Sequence, residues 1–269
     1  MEPLWKFENI TTPHFRGILL AFTTTASNMS HPFNRENRRR QTQFNQLQDF
    51  ILNESKGKHI LLLYEEPERA REIEFQFLKQ GLEHGEHCTF LVHFIEQNVN
   101  SHVDLGDHHK SHSLECIERE MKDGGINVDA YEEKAQLRIF PVPNLIKKAG
   151  GFDNISGIWD AIEGLDEDLF SQMVAPFRGV GIRLPVNKLH GEDRMNALAI
   201  QIDIEKKGQI EFERGHFRGS WICPYMVDNL ADSLEHEQSG LQILSLIAHH
   251  EAVIYAPALK EPVVLRLSF

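Results

Sequence analysis

From Lys58 onward, apolar runs of strand length alternate with segments of helical period, and this alternation narrows the possible folds more than any other feature of the chain. "HILLLY" (59–64) is such a run, and a run without polar alternation suits a strand covered on both faces. The following "PERAREIEFQFLKQGLEHG" places Ile73, Phe77, Leu78 and Leu82 on one side of a helix. Pro67 suits its first turn, Glu65, Glu66 and Glu68 suit the positive end of its dipole, and Gly85 ends it.

The same alternation continues to the end of the chain. "HCTFLVHFI" (87–95) predicts a second strand, "SLECIEREMKDGG" (113–125) a helix, and "AQLRIFPV" (135–142) a third strand. Next come a helix over 154–174, the strand "FRGVGIRLPV" (177–186), a helix over 192–208, the strand "FRGSWICPY" (217–225) and a helix over 226–250. "AVIYAP" and "PVVLRLSF" end the chain, joined only by "ALKE". Strand–helix alternation implies right-handed crossovers and a mainly parallel sheet with helices on both faces. The last two strands are too close in sequence for a crossover, so they predict an antiparallel hairpin at one edge. The expected architecture is α/β and three-layered, with one domain over 46–269.

Residues 1–45 show no steady period and predict a flexible or loosely docked extension. At its end, Phe44, Leu47, Phe50 and Ile51 fall along one side of a helix expected to dock on the domain. The formal net charge of the 269-residue chain is −12, although residues 1–40, including "NRENRRR", are net basic. An acidic body repels an anionic polymer, so direct nucleic-acid binding is not expected. No apolar run reaches the roughly 20 residues of a membrane span. The early "GILLAFTTTAS" is short for a signal-peptide core and follows Glu2 and Glu8. Three scattered cysteines without a C-x-x-C pair suit a reducing compartment, so the expected location is the cytoplasm.

In an open parallel sheet, ligands bind beyond the carboxyl ends of the strands. That rule selects Tyr64, Glu65 and Glu66 after the first strand, Phe94 and Glu96 near the end of the second, and Pro141 and Pro143 after the third. It also selects Arg183 and Pro185 on the fourth, and Cys223, Pro224 and Tyr225 on the fifth. A phosphate-binding turn requires glycines that turn N–H groups inward and a lysine. "YEEPERA" has neither and carries carboxylates, so a nucleoside triphosphate is not expected there. Helix capping is the plainer role for Glu65 and Glu66. No G-x-S-x-G, H-E-x-x-H or G-x-G-x-x-G occurs.

"DHHKSHSLEC" sets His108, His112 and Cys116 at intervals of four, so that one helical face could offer three metal ligands. No second cluster is evident to complete a shell, and a polar helix face is the expected role. Cys223 and Cys88, without a base visible in the sequence, read as core residues, and no cofactor is expected.

"HILLLYEEPERAREIEFQFLKQGLEHGEHCTFLV" resembles the opening of the MEDS domain, the methanogen/methylotroph sensory domain of a dichloromethane-responsive regulator. The resemblance rests on a strand ending in tyrosine and acidic residues, a helix ending "GL..GE.C", and a second strand. Here these are Tyr64, Glu65, Gly81, Leu82, Gly85, Glu86 and Cys88. "AQLRIFPV", "FRGVGIRLPV", "GSWICPYMVDNL" and "HHEAVIYAP" follow in the family's order, which extends the resemblance over residues 58–257. It implies a RecA-like fold without the nucleotide-binding loop and a sensory module for small molecules. It also implies a signalling or regulatory protein partner, since kinase motifs and a clear helix-turn-helix are absent from this sequence.

The expected function is therefore non-catalytic sensing, with a small ligand bound by Tyr64, Glu65, Glu66, Phe94, Arg183, Cys223 and Tyr225. The competing expectations are a divergent RecA-like ATPase, a metal-dependent enzyme using His108, His112 and Cys116, and a self-associating homo-oligomeric scaffold.

Overall fold

A computed structural model describes residues 46–92, 114–151, 177–181, 191–213, 219–227 and 246–267, with the single positions 154, 157 and 160. The expected extension over 1–45 lies outside these residues, as do most of the helices expected over 154–174 and 226–250.

Seven strands form one sheet in the order β3-β2-β4-β5-β1-β6-β7. They are β1 (His59–Tyr64), β2 (His87–Val92), β3 (Leu137–Pro141), β4 (Phe177–Val180), β5 (Ser220–Met226), β6 (Ala252–Ala256) and β7 (Val263–Arg266). All neighbouring pairs are parallel except β6 and β7, which pair antiparallel from Ala252↔Arg266 to Tyr255↔Val263. The mainly parallel α/β sheet and its antiparallel end are those expected from the sequence. β1 lies between β5 and β6, so its ladder is filled on both sides, and every residue of "HILLLY" is buried.

Helix α1 (Pro67–Glu83) covers one face of the sheet and buries Ile73, Phe77, Leu78 and Leu82 as their spacing predicts. Its end is a Schellman arrangement: Gly85 N–H donates to Leu82 O (3.1 Å) and Glu86 N–H to Gly81 O (2.8 Å). Gly85 takes a φ of +77°, which glycine adopts without steric cost. On the α1 side, Ile60, Leu62 and Tyr64 of β1 join Phe90, Val180, Ile222 and Ile254 in one core. A π-helical turn (Phe50–Glu54) docks Phe50 and Ile51 into the same core, as the pattern before Lys58 predicts.

Strand alternation sends Trp221, Cys223 and Tyr225 to the opposite face. There Glu205 of α5 (Gly191–Glu213) meets Cys223 and Tyr225, so helices cover both faces.

Beyond β2, α2 (Leu114–Asp123) is the expected helix and buries Ile117 and Met121. Two short helices were not expected. In α3 (Val128–Glu133), Asn127 caps the start by accepting from the Ala130 N–H at 3.3 Å. α4 (Val142–Ala149) begins where the strand reading continued, and β3 stops at Pro141. Pro143 falls in its first turn, where a missing N–H costs nothing. α5 runs past Gly208, where the sequence pattern places its end. No helix of the described residues is long and apolar enough to cross a membrane.

Candidate functional site

The carboxyl end of β1 is a fastening point between strands. Tyr64 is buried in the core on the α1 side. Glu65 accepts from the Tyr255 hydroxyl and, at 2.9 Å, from the Ala258 N–H, while its own N–H donates to Ala256 O at 3.1 Å. This carboxylate therefore ties the end of β6 to the end of β1. Burial and the Glu65 hydrogen bond push the Tyr255 phenol well above its ordinary pKa, so it remains a donor. Glu66 is exposed at the N-cap of α1 and makes no side-chain capping bond.

A cavity of about 20 Å³ lies on the α1 side at the carboxyl ends of β2, β4 and β5. Its lining includes Arg71, Glu74, Phe90, Val92, Gly181 and Pro224. The Arg71 guanidinium stands 5.3 Å from the Phe90 ring centre and 3.6 Å from the buried Glu74 carboxylate. A second carboxylate, Glu120 of α2, is also 3.6 Å from Arg71. The volume suits about one water molecule.

The residues selected from the sequence are not gathered around this cavity. Tyr64 points toward α1, whereas Cys223 and Tyr225 point toward α5 and contact Glu205. Phe94 and Arg183 lie outside the described residues. So do His108 and His112; Cys116 sits half-buried on α2, its thiol 3.6 Å from Glu120 and 3.4 Å from Arg119.

The densest chemistry lies on the α5 side, toward the amino ends of β1 and β6. His59 opens β1, Glu205 projects from α5, Cys223 lies in β5, and His250 precedes β6. All four are buried, and one ligating atom from each lies within 4.8 Å of the others. Glu205 Oε2 is 3.0 Å from both His59 Nε2 and Cys223 Sγ, and those two atoms are 3.2 Å apart. Glu205 Oε1 accepts from the Tyr225 hydroxyl at 3.2 Å.

A backbone carbonyl sets the His250 tautomer, because a carbonyl only accepts. His250 Nδ1 donates to Leu246 O at 2.7 Å, so its Nε2 carries the lone pair. That Nε2 is 4.0 Å from Glu205 Oε2 and is buried without a hydrogen-bond partner among the described residues. His59 Nδ1 faces two acceptors, His249 O at 3.0 Å and Gln209 Oε1 at 3.2 Å, and its Nε2 points inward to a third, Glu205 Oε2. The two rings stack with centres 4.0 Å apart.

Burial and the Glu205 charge raise the pKa of the Cys223 thiol and the Tyr225 phenol well above their usual values. Burial and the neighbouring His59 lower that of His250, which stays neutral. Cys223 is thus a protonated thiol rather than a nucleophilic thiolate.

No sequence motif marks this group, because its members come from distant segments and share no spacing. The available signal is polarity in the wrong place: a histidine opening a fully buried strand, and "HHE" leading into another.

Residues 58–180 match the family model described as MEDS, the MEthanogen/methylotroph, DcmR Sensory domain, as the resemblance of the opening block implies. Of the four clustered residues only His59 lies inside that match. No curated protein matches the chain. Among solved structures, a KaiC-like protein from the hyperthermophilic archaeon Pyrococcus horikoshii OT3 is similar at 16% identity, over 80% of each chain, with a TM-score of 0.47.

Proposed function

We propose that the chain is a non-catalytic cytoplasmic sensory module that binds a small molecule at the carboxyl edge of the sheet and regulates a signalling protein. The observation that carries this reading is the match of residues 58–180 to a sensory domain. The edge chemistry supports it: a guanidinium and a carboxylate meet an aromatic ring beside Pro224, a setting for a ligand with an apolar body and one polar group. Phe94 and Arg183, two positions beyond the lining residues Val92 and Gly181 in sequence, lie outside the described residues and belong to this reading on sequence grounds. Arg71 meets both Phe90 and Glu120, so a ligand that displaces its guanidinium has a route to the neighbouring α2.

The test is native mass spectrometry of the full chain against a panel of small halogenated and alkylated compounds. A compound retained by the wild type should bind at least about tenfold more weakly to Arg71→Ala or Arg183→Ala, the loss of a hydrogen bond to a charged group. Exposed Leu259→Ala should bind it unchanged. Affinity unaffected by Arg71→Ala, Glu74→Gln and Arg183→Ala would remove the site assignment, and turnover of a bound compound would overturn the non-catalytic reading.

A further inference from the structure

We propose that His59, Glu205, Cys223 and His250 form a closed binding site for a zinc-class divalent transition ion. Two imidazole nitrogens, one sulfur and one carboxylate oxygen make a four-donor set of the kind zinc takes in tetrahedral sites. Magnesium and calcium prefer oxygen donors throughout, so the set selects against them. Metal–ligand bonds of about 2.0 to 2.3 Å at tetrahedral angles place neighbouring donors about 3.3 to 3.7 Å apart. Four of the six donor separations are 3.0, 3.0, 3.2 and 4.0 Å and the other two lie within 4.8 Å, so small side-chain shifts, largest for His250 and up to about an ångström, bring the four donors to tetrahedral spacing.

The surroundings match those of metal-bound histidines. Each ring sets Nδ1 against a backbone carbonyl and turns Nε2 to the common centre, the orientation in which a metal-bound imidazole donates Nδ1–H and coordinates through Nε2. Tyr225 holds Glu205 Oε1, leaving Oε2 to bind through one oxygen.

A cluster filled only with protons explains part of this arrangement. Cys223, Tyr225 and a His59 Nε2–H can all donate to Glu205, but the inward lone pair of His250 Nε2 then meets no donor among the described residues. A cation satisfies that lone pair and the others together. As it binds, the Cys223 S–H bond breaks, the proton leaves to solvent, and sulfur bonds the metal as thiolate. One thiolate and one carboxylate balance a dication, so the buried centre is neutral overall, which lessens the cost of burying charge. All four ligands come from the protein and all are buried, so the site is structural. It joins β1, α5, β5 and the approach to β6, and it lies on the opposite face from the carboxyl-edge cavity.

The experiment uses the full chain purified under reducing conditions without chelators. Elemental analysis is expected to find one zinc per chain. After removal with a chelator, cobalt(II) should restore the ligand-field bands of a tetrahedral site and a thiolate-to-cobalt charge-transfer band. The band should persist in a His108→Ala/His112→Ala/Cys116→Ser variant and vanish in Cys223→Ser, while His250→Gln should bind cobalt at least about tenfold more weakly. Circular dichroism reports whether each variant folds. If Cys223→Ser does not fold, the triple variant decides alone: one cobalt with the charge-transfer band supports the site, and loss of the band moves the metal to the 108–116 segment. A wild type that neither retains zinc nor gives the cobalt spectrum overturns the proposal, as does a folded Cys223→Ser that keeps the band. None of these outcomes depends on the small-molecule panel, so the two readings fail separately.

Discussion

Arg178 of β4 and Glu86, which precedes β2, form a buried two-pronged ion pair. The third guanidinium nitrogen, Nη1, donates to Ile51 O and Phe77 O, each at 3.3 Å, and to Ser55 Oγ at 3.4 Å. One side chain thus joins two strands, α1 and the π-helical turn. Arg178→Met leaves Glu86 charged and buried, and is expected to cost about 3 to 5 kcal/mol. Adding Glu86→Leu should recover part of that loss, because no unpaired charge then remains. Urea unfolding of both variants measures the difference; equal losses would show that the lost contacts of Arg178, rather than the stranded charge, set the cost.

Gly85 and Gly81 should respond differently to alanine. At Gly85 the φ is +77° and an added methyl meets nothing within 4 Å, so Gly85→Ala carries only the backbone cost, about 1 kcal/mol. At Gly81 the methyl would lie 2.6 Å from Arg178 Cδ and 2.9 Å from Cys88 Sγ. Although alanine is the better helix former, Gly81→Ala is expected to lose about 1 to 3 kcal/mol through overpacking. Thermal unfolding of the two variants compares them, and a stabilised Gly81→Ala would show that the neighbouring side chains yield freely.

These glycines show why part of the fold was legible in the sequence. Gly85 ends a helix through its own φ, a local property that sequence position reveals. Gly81 is required by an arginine nearly a hundred positions away, and no local pattern reports that. β1 and α1 were readable because their apolar periods are long and unbroken. α3 is a single capped turn and a half, and the start of α4 is hidden in "IFPV", whose apolar residues suit a strand equally well. The polar cluster was hidden for a related reason: histidine, glutamate and cysteine within apolar segments count as blemishes until folding brings them together.

Tyr255→Phe removes the hydroxyl that donates to Glu65 and leaves the ring in place. A hydrogen bond to a charged acceptor is worth about 1.5 to 3 kcal/mol, and partial exposure of this pair places the loss toward the lower end. Because Glu65 also accepts from Ala258 N–H, the effect should be local: faster amide exchange at the end of β6, with little change in β2. Hydrogen exchange read by mass spectrometry checks this, and a uniform increase over the whole sheet would contradict it.

The last prediction concerns pH and the edge of the sheet. Arg266 of β7 reaches Glu54 with two hydrogen bonds of 2.5 Å, joining the terminal strand to the π-helical turn. The guanidinium holds the Glu54 carboxyl below its ordinary value of 4.5, with Lys58 adding a smaller effect in the same direction. A carboxylate whose pKa is lower in the folded state stabilises the fold fully above its unfolded pKa, and that contribution disappears as pH falls through the folded value. Wild type and Glu54→Gln should therefore differ in melting temperature at pH 7 and converge as the pH falls below the ordinary carboxylate range and through the lowered folded-state value. The pair is solvent-facing, so added salt at pH 7 should narrow the difference as well. A gap that stayed constant through acid and salt would mean that Glu54 acts through packing of its side chain and not through its charge.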